Sequence, residues 1–274
     1  MLILAMESSA KPASVAVCQE EELLGQYFQN SGLTHSRTLL AMAESLLKNL
    51  DISIENIDCV AVSCGPGSFT GVRIGVSAAK GLAWGCNLPV CGVSTLEAMA
   101  YQMPEPGMLL CPVMDARRNQ VYNALFEWRD NALVRLCDDR AIAIEQLSDE
   151  LHERLLPDSS YSPPMLNVPS VSADFPVFSA ISPTLLLLGD GAAISFEYLS
   201  NAGISCKIAP NLIRWQTAYG VALAAINADS IPAIELEPSY LRPSQAERER
   251  EKTSQAESQS DRASQSSYSL SRFL

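Results

Sequence analysis

Hydrophobic residues along this chain follow two alternating rhythms. Leu2–Glu7 is apolar up to its final acid, Ser8-Ser9-Ala10-Lys11-Pro12 interrupts it, and Ala13–Cys18 is mostly apolar again. Two short apolar runs around a polar turn predict a β-hairpin, and Leu23–Gln29 predicts a third strand. From Thr34 the spacing changes. Leu39, Ala43, Leu46, Leu47 and Leu50 fall on one helical face, so the segment to Leu50 reads as a helix capped by Thr34. Ile57–Cys64 is short, apolar and β-branched, the pattern of a strand buried on both faces. A glycine-rich turn leads to a helix over about 70–84, then a strand at Pro89–Val93 and a helix at Ser94–Tyr101. Three strands followed by alternating helices and strands predict a mixed sheet flanked by helices, an α/β architecture.

The plan then restarts. Leu109–Asp115, the turn Ala116-Arg117-Arg118-Asn119 and Gln120–Trp128 repeat the opening hairpin, and Met6-Glu7 and Met114-Asp115 hold equivalent places. The match is short, but two related α/β lobes would show it. Leu185–Leu188 runs into Gly189-Asp190-Gly191, followed by a helix, a strand at Ser205–Ile208 and a helix over Arg214–Ala228. The expected organisation is an N-terminal lobe at 1–105 and a C-terminal lobe at 106–243. A Ser/Pro-rich surface insertion interrupts the second lobe at about 157–183, and a Ser/Gln/Glu/Arg-rich tail at 244–274 reads as disordered.

Composition narrows the classes. With 274 residues and 47% hydrophobic content the chain can bury a large core. No apolar run approaches the roughly 20 residues of a membrane span, and Met1–Glu7 has no basic flank of a secretory signal. The eight cysteines form no C-x-x-C pair and sit mostly in apolar runs, which reads as reduced, buried thiols in a cytoplasmic protein. Net charge is −12, and the tail from Ser244 carries five acids and five bases, so the excess lies upstream. An acidic body lacks the footprint of a protein that grips nucleic-acid phosphates unaided.

Candidate chemistry is sparse. The Gly65-Pro-Gly-Ser-Phe-Thr-Gly71 turn fails the spacing of both a P-loop and a dinucleotide fingerprint, leaving a structural turn or an anion at the next helix N-terminus. In that helix Gly71, Gly75, Ala78, Ala79 and Leu82 make a stripe of mostly small side chains. Each interior glycine costs about 1 kcal/mol against Ala, so close approach by another element should offset Gly75 and Gly81, from the chain's own sheet or from a partner helix. His35 and His152 lie in different predicted helices and form no metal pair; no catalytic or metal-binding set emerges. Glu7, Ser8 and Asp115 are the candidate nucleotide site, as acids at strand ends can hold hydrated Mg²⁺.

At Cys64-GPGSFTGVRIGVSAAKGLAWGCNLPVCGVSTLEAMA the chain closely resembles the bacterial TsaB (YeaZ) family. The likeness extends to ILAMESS, Thr34-His35-Ser36-Arg37, MDARRNQVY at 114–122, LGDGA at 188–192 and PSYLRPSQAE at 238–247, covering most of 1–247 in order. It implies two actin/Hsp70-like (ribonuclease-H-like) lobes in a pseudoenzyme. Such proteins pair with the transferase TsaD as a heterodimer and help recruit the ATPase TsaE. They serve formation of threonylcarbamoyladenosine at position 37 of tRNAs reading codons that start with A. The resemblance further implies no cofactor of the chain's own, ATP/ADP and Mg only at interfaces with partners, tRNA met mainly through partners, and no membrane. TsaD holds its metal with a histidine pair on a helix, and this chain has only His35 near that place. The family usually has Asp where this chain has Glu7, and the 157–183 insertion and the tail exceed the family's needs. The helices at 34–50 and 70–84 are the expected partner surface, through Thr38, Met42 and Ser45 and through Gly71, Arg73, Gly75, Ser77 and Ala78. On that reading Gly75→Leu weakens the heterodimer and leaves the lobe folded. Alone, the same face could pair with itself as a homodimer. The alternative function is an active actin-like ATPase or kinase, and a peptidase lacks both nucleophile motif and metal site.

Overall fold

The apolar N-terminal run becomes the centre of a sheet, because alternate residues of an extended chain serve opposite faces. The structure, a computed structural model, describes residues 1–104, 106–155 and 184–242. In it β1 (Leu2–Glu7) pairs antiparallel with β2 (Ala13–Gln19), which pairs antiparallel with β3 (Glu22–Gln29). After α1 (His35–Asn49), β4 (Cys59–Gly65) joins the other edge of β1 in parallel. Then come α2 (Phe69–Cys86), β5 (Val90–Ser94), parallel to β4, and α3 (Thr95–Tyr101). The sheet order is β3-β2-β1-β4-β5. One face, with Leu4, Met6, Val60 and Val62, is covered by Leu39, Ala43 and Leu46 of α1 and Val72, Val76 and Ala79 of α2.

The second half repeats this order. β6 (Met108–Arg117) pairs antiparallel with β7 (Gln120–Asn123), and β7 with β10 (Arg140–Ala143). A hairpin of β8 (Phe126–Arg129) and β9 (Ala132–Arg135) lies off the main path. After α4 (Ile144–Leu155), β11 (Thr184–Leu188) adds in parallel to β6. It is followed by α5 (Ala192–Asn201), β12 (Cys206–Ile208) and α6 (Ala218–Ile226). The order β10-β7-β6-β11-β12 matches the first sheet strand for strand. These two mixed sheets flanked by helices are the α/β architecture expected from the sequence.

The remaining faces of the sheets are covered by exchange. Leu96, Met99 and Ala100 of α3, from the first half, pack with Leu110, Met114 and Leu188 of the second sheet. Ala218, Val221, Ala222 and Ala225 of α6, from the second half, cover Ile3, Ala5, Cys59 and Ala61 of the first. A Cβ on Gly220 would collide with the Ala98 carbonyl, so α3 and α6 touch at their backbones. The boundary expected at 105/106 falls between the two strand sets, and the described residues from Met1 to Ser239 form one compact unit.

Two expected elements differ and two strands are new. Gln120–Trp128 is two strands, because the Asn123 amide is buried, donates to the Pro112 and Ala124 carbonyls, accepts from Arg140 and turns the chain there. The last helix begins at Ala218 and not Arg214, since Thr217 caps it through Gly220 N–H while the Ile213 and Trp215 carbonyls accept from Gln102. Strands β9 and β10 add to the expected set. The 157–183 insertion and the 244–274 tail lie outside the described residues.

Candidate functional site

The first hairpin folds its turn back over the start of α2. Ser8 Oγ donates to the Gly71 carbonyl at 2.9 Å, and Ser68 N–H donates to the Ser9 carbonyl at 2.6 Å. A side chain on Gly67 would come within 2.5 Å of the Ser9 carbonyl, and one on Gly71 or Gly75 would strike Ser8. Three glycines thus make a bed for two serines. Gly71 and Gly75, expected to admit a partner helix, are buried against the chain's own hairpin, which corrects their place in the partner surface. The close approach that offsets their helix cost is intramolecular.

Beneath this turn Glu7 has no exposure. Its Oε1 accepts the Ser9 N–H at 2.5 Å, and its Oε2 has no hydrogen-bond partner. Burial pushes its pKa above the ordinary carboxylate value; the Ser9 and Ser63 hydroxyls, the Ser9 N–H and the nearby His35 act in the opposite sense and are outweighed. His35 Nε2 donates to the Ala10 carbonyl at 2.8 Å, pinning the far side of the turn to α1.

The second half echoes the motif in the open. Asp115 Oδ1 accepts the Arg117 N–H at 2.7 Å, the same two-residue reach as Glu7 to Ser9. Asp115 is exposed, and its N–H donates to Asp190, whose carboxyl is shifted upward chiefly by burial. Of the expected nucleotide residues, Glu7 and Ser8 are sealed inward and only Asp115 reaches solvent. Among the described residues no group of three or more His, Cys, Asp or Glu is placed to hold a metal ion. His152 bonds its own helix through the Ser148 carbonyl, far in sequence from His35.

The outer faces of α1 and α2 divide the remaining candidates. Ser45, Arg73 and Ser77 are exposed; Thr38, Met42 and Ala78 are half-buried, with Met42 and Ala78 packed on the first core. The Arg73 guanidinium stacks 3.8 Å above the Phe69 ring. Further along α2, Gly81 and Gly85 have nothing within 4 Å of where a Cβ would stand, and Trp84 between them is 80% exposed. These residues were absent from the expected surface. Their signal was present, as two glycines four apart around a tryptophan inside a helix, where neither propensity nor solvent favours them.

The family model "TsaD: tRNA N6-adenosine threonylcarbamoyltransferase" matches residues 29–234. The Bacillus subtilis (strain 168) "tRNA threonylcarbamoyladenosine biosynthesis protein TsaB" is 33% identical over 154 residues, 56% of this chain and 67% of that one. The protein of the same description from Haemophilus influenzae is 32% identical over 168 residues, 55% of this chain and 69% of its own. The solved "YeaZ from Pseudomonas aeruginosa" superposes with a TM-score of 0.62 at 22% identity, covering 88% of this chain and 99% of that one, and speaks for the fold. On the family model, these relatives and the shared motifs together, the chain belongs to the TsaB (YeaZ) family.

Proposed function

We propose that this chain is a non-catalytic subunit in the formation of threonylcarbamoyladenosine at position 37 of tRNAs reading codons that start with A. The observation carrying the non-catalytic part is the sealed hairpin. The Ser8-Ser9 turn fills the glycine bed of α2, so a phosphate has no room there and Glu7 cannot reach one. The tRNA part rests on what the TsaB relatives are named for. The chain has no cofactor of its own; ATP/ADP and Mg²⁺ enter only at interfaces with partners. It pairs with a TsaD-type transferase, helps recruit a TsaE-type ATPase, meets tRNA mainly through them, pairs with itself when alone, and works in the cytoplasm. No described helix is long and apolar enough to cross a membrane.

The pairing face is the outer side of α1 and α2. Ser77, Gly81 and Gly85 lie four apart, with Trp84 beside them, which suits a helix docking closely. The test is reconstitution of the modified nucleoside with the transferase, the ATPase and tRNA. Product should require this chain, and the chain alone should neither transfer threonylcarbamoyl groups nor hydrolyse ATP above background. A second reading, an active actin-like ATPase or kinase, draws on Asp115 standing exposed beside Asp190. ATP turnover by the lone chain that Asp115→Ala abolishes would favour it and overturn the first.

A further inference from the structure

After α6 the chain crosses back to the first sheet. Ile231 and Val90 exchange both backbone hydrogen bonds, at 2.8 and 2.9 Å, which closes the outer edge of β5 at that point. Ala233–Glu235 then make one helical turn packed against α2. Leu236, 2% exposed, drops onto Gly92, where a Cβ would stand 2.8 Å from its Cδ1. Ser239 N–H donates to the Cys64 carbonyl at 2.7 Å, and a side chain on Gly65 would strike the Ser239 carbonyl. Lys80 Nζ, on α2 one turn before Trp84, donates to the Leu236 carbonyl at 3.0 Å. Residues 231–239 are therefore a strap tied at both ends, with a buried leucine as its pin and α2 as its support.

A strap held this way also fixes what it turns outward. Ile234, between buried Ala233 and Leu236, is 77% exposed, and Trp84 on the adjoining helix is 80% exposed. Among the described residues only Leu212 is a large apolar side chain with more exposure. Two such side chains on packed, adjoining elements add nothing to the core and suit the centre of an interface. Glu235 and Glu237 are exposed beside Ile234, while the Lys80 ammonium is engaged with the strap itself. Two copies joined through this edge would set acids against acids in a chain of net charge −12, so the chemistry favours a different partner that brings bases. We propose that, given the pairing of α2 with a TsaD-type transferase set out above, the strap is part of the same face. Ile234 and Trp84 receive apolar side chains from a helix of the transferase, and Glu235 and Glu237 meet a lysine or arginine beside them.

Affinity of the full-length chain for the transferase, measured by calorimetry, should fall about tenfold in Trp84→Ala and in Ile234→Ser and stay near the parent's in Ile234→Leu. Both side chains stand in solvent, so the melting curves of all three variants should match the parent's. The double variant Glu235→Lys with Glu237→Lys should also bind more weakly, and most clearly so at low salt. No binding by the parent would overturn the pairing and the strap's part with it. Binding that Trp84→Ala weakens and Ile234→Ser leaves unchanged would keep the pairing and overturn the strap's part alone. An Ile234→Ser effect confined to self-association of the lone chain in sedimentation would make the occupant a second copy, and would overturn the proposal as well.

Discussion

Glu7 is a carboxyl group held out of water entirely, with one oxygen bonded to the Ser9 N–H and the other unpartnered. Its pKa in the folded chain lies above the ordinary value of 4.5. The fold therefore favours the protonated form. That contribution is complete below the unfolded pKa and is lost as pH rises through the raised folded value. At neutral pH, where the unfolded carboxyl is ionised, taking this group out of water works against folding. Glu7→Gln keeps the shape and removes the charge, so its melting temperature should exceed the parent's at pH 7–8. The gap should close as pH falls toward 4.5. A variant that melts lower than the parent at pH 8 would show that the carboxylate is needed as such. The thiols follow the same physics: burial pushes Cys18, Cys91 and Cys111 up to about 12, and Cys59 and Cys64 to about 11. At pH 8 these five should react with a disulfide reagent only slowly in the native chain and promptly once it is unfolded.

Helix α2 carries glycines with opposite meanings on its two sides. Gly71 and Gly75 lie under the Ser8-Ser9 turn, and Gly81 and Gly85 face open space. Gly75→Leu should therefore destabilise the lone chain by about 1–3 kcal/mol, as overpacked side chains do, and not leave it native. Gly81→Ala should instead stabilise the lone chain by roughly 0.5–1 kcal/mol, since it meets nothing and raises helix propensity. Denaturant midpoints for the two variants should move in opposite directions. In one dimension the four glycines look alike. The strip of small residues was legible, but the element filling each part was not, because that depends on where a hairpin sixty residues upstream returns. The strands β1–β5 were legible to within about two residues from their apolar runs. β9 and β10 are four residues each, mostly half-buried, and carry no alternation to betray them.

Across the whole molecule the duplicated plan was legible at one point, the acid ending each opening strand. Topology and the shared two-residue hydrogen bond bear out that equivalence. The exchange of α3 and α6 was not legible, since an apolar helix face does not say which sheet it will cover. That exchange has a consequence for how the chain is made. As residues 1–105 leave the ribosome, strands β1, β2 and β4 have one finished face and one bare face carrying Ile3, Ala5, Cys59 and Ala61. The cover for it, α6, arrives only after residue 226 has been added, several seconds later at about 5–20 residues per second. A nascent N-terminal half is thus a sticky intermediate for the length of that wait. Released as a free fragment, residues 1–105 should aggregate, and synthesis of residues 106–274 in the same cell should keep it in solution.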